Sequence, residues 1–347
     1  MAKTSDSETP VTKRRSDIDR WKKIVRAFPS VTVTVLADLV ADEFVFGEIA
    51  RVSREAPVLI LKHRERTVVP GGGANAVMNL ASLGVNVLPV GVVGDDEPGE
   101  LLLEKFREEK ISTGGITKLQ GHVTTTKTRI LAGTSHSGRQ QVVRVDREPV
   151  PLDQSHSVVG KIARTARESA GRSQALLVSD YGYGAATPQI LTRIKSNGWP
   201  KDKPITLDSR YRMLEYKGAT AATPNEPEVE EALQIRIGDD GRRLLSVGEQ
   251  LMARMGLQSL LITRGRDGMV AFEKGVKPLM VPIFGPDQVV DVTGAGDTVI
   301  ATFTAALAAG ASTADAARLA NFAGGIVVMK RGTATVSNAE LLAAIEK

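Results

Sequence analysis

The chain has 347 residues, 42% hydrophobic and 24% charged, enough to bury the core of one large globular domain or two ordinary ones. It contains no cysteine, which removes disulfides, thiolate metal sites and cysteine nucleophiles together and fits a reducing, cytoplasmic setting. Of the net charge of +5, residues 1–26 carry +4 and leave +1 for the body, and aromatics are only 4%, so neither an electrostatic footprint nor a stacking surface for nucleic acid is expected. The start MAKTSDSETP lacks the apolar stretch of a secretory signal. No uncharged apolar run reaches the roughly 18 residues a membrane helix needs, so no membrane partner is expected either.

Residues 1–26 read as a basic polar tail and a lead-in helix, and 27–347 as one domain. VTVTVLAD is a buried strand ending at Asp38. DEFVFGEIARVSREAPVLILKHRERTVVP then alternates with period two, and no helix fits inside it. ANAVMNLASLG predicts a helix over Ala74–Gly84, VNVLPVGVVG a strand over Val85–Gly94, and GELLLEKFREEK a further helix. HVTTTKTRILAGTSHSGRQQVVRVDREP returns to period two. Strands follow at ALLVSDYG (Ala175–Gly182), PITLDSR, GATAATPN (Gly218–Asn225) and SLLITRGRDG (Ser259–Gly268), and a helix runs from near Asp297 to Gly310.

Strands alternating with helices predict an α/β body, whereas the stretches at about 43–69 and 122–148 predict antiparallel strands of a separate small sheet, a lid over the body. Its exposed faces suit a homodimer contact. In open α/β sheets ligands collect at the carboxyl ends of the strands, so Asp38, Ser179, Asp180, Asp208, Asn225 and Thr263 are expected to line one crevice.

DVTGAGD, Asp291–Asp297, puts small residues where a helix begins. The backbone N–H groups of Gly294, Ala295 and Gly296 would form a nest for an anion at the positive end of the helix. Two readings of Asp297 stand. It caps the helix, or it is a general base for a hydroxyl that attacks a phosphoryl group, which also explains a carboxylate beside an anion nest. PGGGANAVMNLASLG has no lysine after its glycines and is not a P-loop. It is either a flexible turn or a place where Gly72 and Gly73 bring backbone to a polyhydroxylated ligand, with Asn75 offering an amide. Asp38 and Asp42 form a solvated turn or receive sugar hydroxyls. Asn225 and Glu228 in TPNEPE start a helix or hold a hydrated Mg²⁺. His63, His122, His136 and His156 show no metal-ligand spacing and read as surface or structural residues.

The two glycine motifs in this order, some 220 residues apart, resemble the ribokinase/PfkB family of sugar kinases over roughly Val31 to Ile345. The resemblance implies a ribokinase-like three-layer α/β/α sandwich with a small β-sheet lid, using ATP and Mg²⁺. SREAPVLILK, LVSDYGYGA, GATAATPNEPEVEEA and ANFAGGIVVMKRGTATVS, beside both glycine motifs, are similar to the members that phosphorylate heptose 7-phosphate at O1. Carried over by position, Asp297 would be the base and the Gly294, Ala295 and Gly296 turn the anion hole. Asp38 and Asp42 with Gly72, Gly73 and Asn75 would form the sugar site, and Asn225 and Glu228 would organise Mg²⁺ through water. Thr263, Gly265 and Asn321 would lie near the nucleotide, and Asp291 and Thr293 near a monovalent cation such as K⁺.

The chain departs from that pattern at Ala37, where the family usually has glycine, at Tyr183, where the heptose kinases carry lysine, and in LDSRYR, where they show Asp-Pro-Lys. For a sugar phosphate, Lys127, Arg129, Arg144, Arg147, Arg210 and Arg212 are the available cations. The rivals are the same chemistry on another sugar, nucleoside or cyclitol, and a catalytically silent relative that binds a sugar or nucleotide. A dehydrogenase is disfavoured, because no G-x-G-x-x-G follows the first strand.

Overall fold

Mostly apolar and β-branched runs form, among the described residues, thirteen strands: β1 (Thr32–Ala37), β2 (Leu39–Val52), β3 (Leu59–Gly72), β4 (Asn86–Gly94), β5 (Ile116–Leu119), β6 (Thr125–Gly133), β7 (Gln140–Arg147), β8 (Ala175–Asp180), β9 (Ile205–Ser209), β10 (Ala221–Ala222), β11 (Ser259–Thr263), β12 (Met269–Glu273) and β13 (Val276–Val281). The helices are α1 (Pro10–Ala27), α2 (Gly73–Ser82), α3 (Glu97–Glu108), α4 (Ser157–Glu168), α5 (Pro188–Ser196), α6 (Glu226–Leu233), α7 (Gly241–Met255), α8 (Ala295–Ala308), α9 (Thr313–Val327) and α10 (Asn338–Ile345). The structure, a computed structural model, describes residues 10–133, 140–196, 198–238, 240–286 and 289–346. The start of the basic tail and His136 lie outside the described residues.

A nine-stranded sheet has the order β13-β12-β11-β10-β9-β8-β1-β4-β5, parallel from β5 to β11 and antiparallel at β12 and β13. Successive strand residues point to opposite faces, and each face has its own core. Val33, Val35 and Ala37 of β1 pack among α2, α3, α8 and α9, whereas Leu36 packs with α4, α5 and α7 on the other side. The result is the α/β/α sandwich expected. Trp21 and Val25 bury α1 in the first of these cores, where Trp21 Nε1 donates to Asp315 at 2.7 Å and Arg20 pairs with the same carboxylate. Strand order reverses at β1, which lies between β4 and β8, and that reversal opens a crevice at the carboxyl ends of these strands.

The second sheet has the order β3-β2-β6-β7. Its two hairpins are antiparallel, but they meet through a parallel β2/β6 pair, so the sheet is not antiparallel throughout. It also reaches further than about 43–69, since β2 begins at Leu39 and β3 runs to Gly72. Elsewhere β10 is only Ala221–Ala222, because Pro224 has no N–H for the ladder, and Asn225 adds a single bridge to Thr263. The expected strand to Gly268 stops at Thr263: Gly265–Asp267 form a 3-10 turn, after which the chain returns antiparallel as β12.

Candidate active site

Helix α8 begins at Ala295, with Gly294 as N-cap in the left-handed region at φ +76° and no side-chain cap. Asp297 is therefore in the first turn and is not the cap. Its carboxylate bonds across to two other elements: Oδ2 accepts from Asn75 Nδ2 at 2.9 Å and Oδ1 from the Tyr181 hydroxyl at 2.8 Å. Burial pushes its pKa up to about 7, while the Asn75 and Tyr181 donors oppose the rise and the charge of Asp42 adds to it. A carboxyl group poised near neutrality suits a general base. Asn75 is fixed in turn, since its Oδ1 accepts from Asn79, whose own Oδ1 accepts from Thr298 one residue beyond Asp297.

A polar cavity of about 340 Å³ opens in front of Asp297, where the crevice meets β2, β6 and β7. Asp42, Gly72, Thr293, Gly294, Tyr181 and Thr333 line its inner part, and Lys127, Arg144, Arg210 and Tyr183 its rim. Asp42 is buried and paired with Arg129 at 2.7 Å. Gly72 has φ +50°, and a Cβ there would come within 2.9 Å of Val40, so only glycine fits. At the rim, Lys127 meets Asp146 and Glu148 at 3.2 and 3.4 Å, and the Tyr183 hydroxyl donates to Glu148 at 2.7 Å.

A second cavity, of about 200 Å³ and largely apolar, lies on the other side of the α8 N-terminus. Thr263, Gly265, Ala295, Gly296 and Asn321 line it with Val289, Val292 and Val299. The Asn321 amide donates to the Pro282 carbonyl at 2.8 Å. The turn Gly294–Asp297 thus separates a polar cavity from an apolar one. Asp291 accepts from the backbone N–H groups of Thr293 and Gly332, which fixes the loop leading into the turn.

Asn225 and Glu228 form a reciprocal capping box at the start of α6. Burial raises the pKa of Glu228, and that of Asp208 is raised well above the usual range by burial and then by the charges of Glu228 and Asp297. Among the described residues no three acidic or histidine side chains cluster as a metal cage. The mutually opposed Asp208 and Glu228 carboxyls still fit a hydrated divalent cation, which keeps most of its waters.

Some predicted contacts are absent from the cavities. Asp38 is not a cavity residue: it is buried and its carboxylate accepts four backbone N–H groups, from Tyr181, Tyr183, Ala185 and Ala186, at 2.9, 3.0, 2.8 and 3.2 Å. Gly73 packs against Ala37, where a Cβ would come within 2.6 Å of the alanine methyl, and lines neither of the two cavities. Asn75 reaches Asp297 and not the open cavity. Asp180 is enclosed by Arg212, Ser209, Tyr216 and Gly182, which also removes Arg212 from the available cations. Sequence reasoning missed Tyr181, although it stands directly after a strand ending in Asp180, where the crevice was expected.

The sequence model of the pfkB family carbohydrate kinases matches residues 40–340. The chain is 38% identical over 323 residues to the bifunctional protein HldE of Desulfatibacillum aliphaticivorans, covering 93% of this chain and 64% of that protein. It is 39% identical over 316 residues to the bifunctional protein HldE of Geobacter metallireducens, covering 90% and 62%. It therefore spans less than two thirds of the length of these relatives. Arabidopsis thaliana ribokinase, complexed with ribose and ATP, superposes with a TM-score of 0.68 at 20% identity over 91% of this chain and 99% of that one. Escherichia coli phosphofructokinase-2, in complex with substrates and products, superposes with a TM-score of 0.70 at 16% identity over 91% and 98%. These two likenesses show the ribokinase-like fold.

Proposed function

The chain belongs to the pfkB family of carbohydrate kinases, and from that premise we propose that it transfers the γ-phosphoryl group of ATP to a sugar hydroxyl, O1 of a heptose 7-phosphate. The observation that carries the reading is the position of Asp297, a buried carboxylate of pKa about 7 at the wall between a polar and an apolar cavity. The polar cavity takes the acceptor and the apolar one the nucleotide, so the γ-phosphoryl group lies at the α8 N-terminus. Asp297 removes the proton of the acceptor hydroxyl, whose oxygen forms the new P–O bond as the bond to the β-phosphate oxygen breaks and ADP leaves. In this reading the Gly294 and Gly296 N–H groups face the charge on the moving group, whereas the Ala295 N–H, expected in the same nest, donates instead to the Val292 carbonyl at 3.2 Å. Magnesium, typical of the family, would neutralise phosphate charge beside Asp208 and Glu228.

The heptose assignment is supported by the segments similar to heptose 7-phosphate kinases and by the HldE relatives. Arg210 at the rim supplies a cation for a phosphate remote from the reacting hydroxyl, and Lys127 and Arg144 join it by exchanging the Asp146 carboxylate they share for the phosphate. Asp291 and Thr293 border a K⁺ site in this reading. β7 leaves Val142, Val143 and Val145 exposed, and a second copy covers them in a homodimer of a cytoplasmic enzyme. The test is ADP formation with heptose 7-phosphate, other sugar phosphates, free sugars and nucleosides. The expected result is preference for the heptose phosphate and turnover that falls by orders of magnitude in Asp297→Asn while ligands still bind. Preference for another acceptor would discard the heptose, and unchanged turnover in Asp297→Asn would discard the base.

A further inference from the structure

We propose that Tyr181 is the positioning residue of the general base: its hydroxyl orients the Asp297 carboxylate and Asp38 holds Tyr181 in place. The inference rests on the kinase reading and adds a residue to it. The two donors on Asp297 sit on different oxygens, Tyr181 on Oδ1 and Asn75 on Oδ2, and a carboxylate held at both oxygens cannot rotate about its bond to Cβ. Each oxygen keeps a second lone pair, and the cavity is where an acceptor hydroxyl reaches one.

Tyr181 is placed by its backbone. Its N–H and those of Tyr183, Ala185 and Ala186 converge on the single carboxylate of Asp38, which stiffens the loop after β8. Gly72 leaves room for the ring, since a Cβ there would stand 3.3 Å from Tyr181 Cε2. One buried acid, which touches no cavity, therefore sets the geometry of another.

The phenol is a donor and not a second base, because burial and the negative charge of Asp297 hold its proton in place. A donor to a carboxylate favours the charged form, so Tyr181 opposes the burial that makes Asp297 hold its proton more tightly. Removing the hydroxyl must move the acid limb of the rate profile to higher pH.

The test is the pH dependence of kcat/KM for the wild type, Asp297→Asn and Tyr181→Phe between pH 5.5 and 9.5, with ATP and the best acceptor of the panel. The expected limb lies near pH 7 in the wild type. In Tyr181→Phe it moves up by about one unit, a loss of about tenfold below both limbs that closes near pH 9. Asp38→Asn, which touches neither cavity, moves the limb the same way by loosening the loop. A limb that stays in place in Tyr181→Phe, with rates equal or uniformly lower, overturns the proposal. A wild type without phosphoryl transfer to any acceptor, or without a limb that depends on Asp297, overturns the kinase reading instead.

Discussion

Replacing Asp297 by asparagine should stabilise the fold at alkaline pH while removing activity. The group is buried, and its pKa is raised from 3.8 to about 7. The folded chain therefore prefers the protonated acid more strongly than the unfolded chain does. That preference is intact below about pH 4 and is lost as pH rises through about 7, so above the upper value the ionised carboxylate destabilises the fold. Three units at about 1.4 kcal/mol each give about 4 kcal/mol. Asparagine carries no charge, but it offers one oxygen to the two donors Asn75 and Tyr181, and the unsatisfied contact costs about 1 kcal/mol. The expected net gain is about 3 kcal/mol at pH 8, turning into a loss of about 1 kcal/mol near pH 4. Urea unfolding of both proteins at half-unit steps from pH 4.5 to 8.5 measures it. A stability difference that does not change with pH, or a variant less stable than wild type at pH 8, would refute the argument.

Gly294→Ala forces an L side chain to φ +76° and puts a Cβ 2.5 Å from Asn75 Nδ2. It should destabilise by about 1–3 kcal/mol and, by shifting Asn75 off Asp297, lower kcat about 100-fold, read by calorimetry and steady-state kinetics. Arg129→Ala leaves Asp42 buried and unpaired and should destabilise by about 3–5 kcal/mol, whereas Asp42→Leu with Arg129→Met should recover most of that in denaturant titration without restoring activity. Exchange of Na⁺ for K⁺ should raise the rate in the wild type, and the difference should disappear in Asp291→Asn, checked by coupled assay at constant ionic strength.

The architecture was legible because it is local and periodic. Val33, Val35 and Leu36 must be buried on opposite faces of one strand, and that requires helices on both sides. The Gly294–Asp297 turn was legible as a helix start, but a helix beginning at Ala295 instead of near Asp297 changes the aspartate from a cap into a carboxylate that bonds across to Asn75 and Tyr181. What the chain hides is the partner of each polar residue. Asp38 and Asp42 look alike in sequence, four residues apart after one strand. One is enclosed by the amides of residues about 145 positions away, and the other is paired with Arg129 on β6. Tyr181 is invisible for the same reason, since its hydroxyl bond spans 116 residues. The short β10 was overestimated because Pro224 counts as one residue in a pattern but as a missing donor in a ladder.

The two cavities draw their walls from separate parts of the chain: β2, β6, β7 and the loop after β8 on one side, β11, β12 and α9 on the other. Among the described residues, they meet at the start of α8, where Thr293, Gly294 and Asp297 line one and Val292, Ala295 and Gly296 the other. Donor and acceptor preference are for that reason separable traits. Under the proposed reading, substitutions that reshape the polar cavity leave the apolar one as it was, and a lineage can exchange one substrate for another without rebuilding the reaction between them.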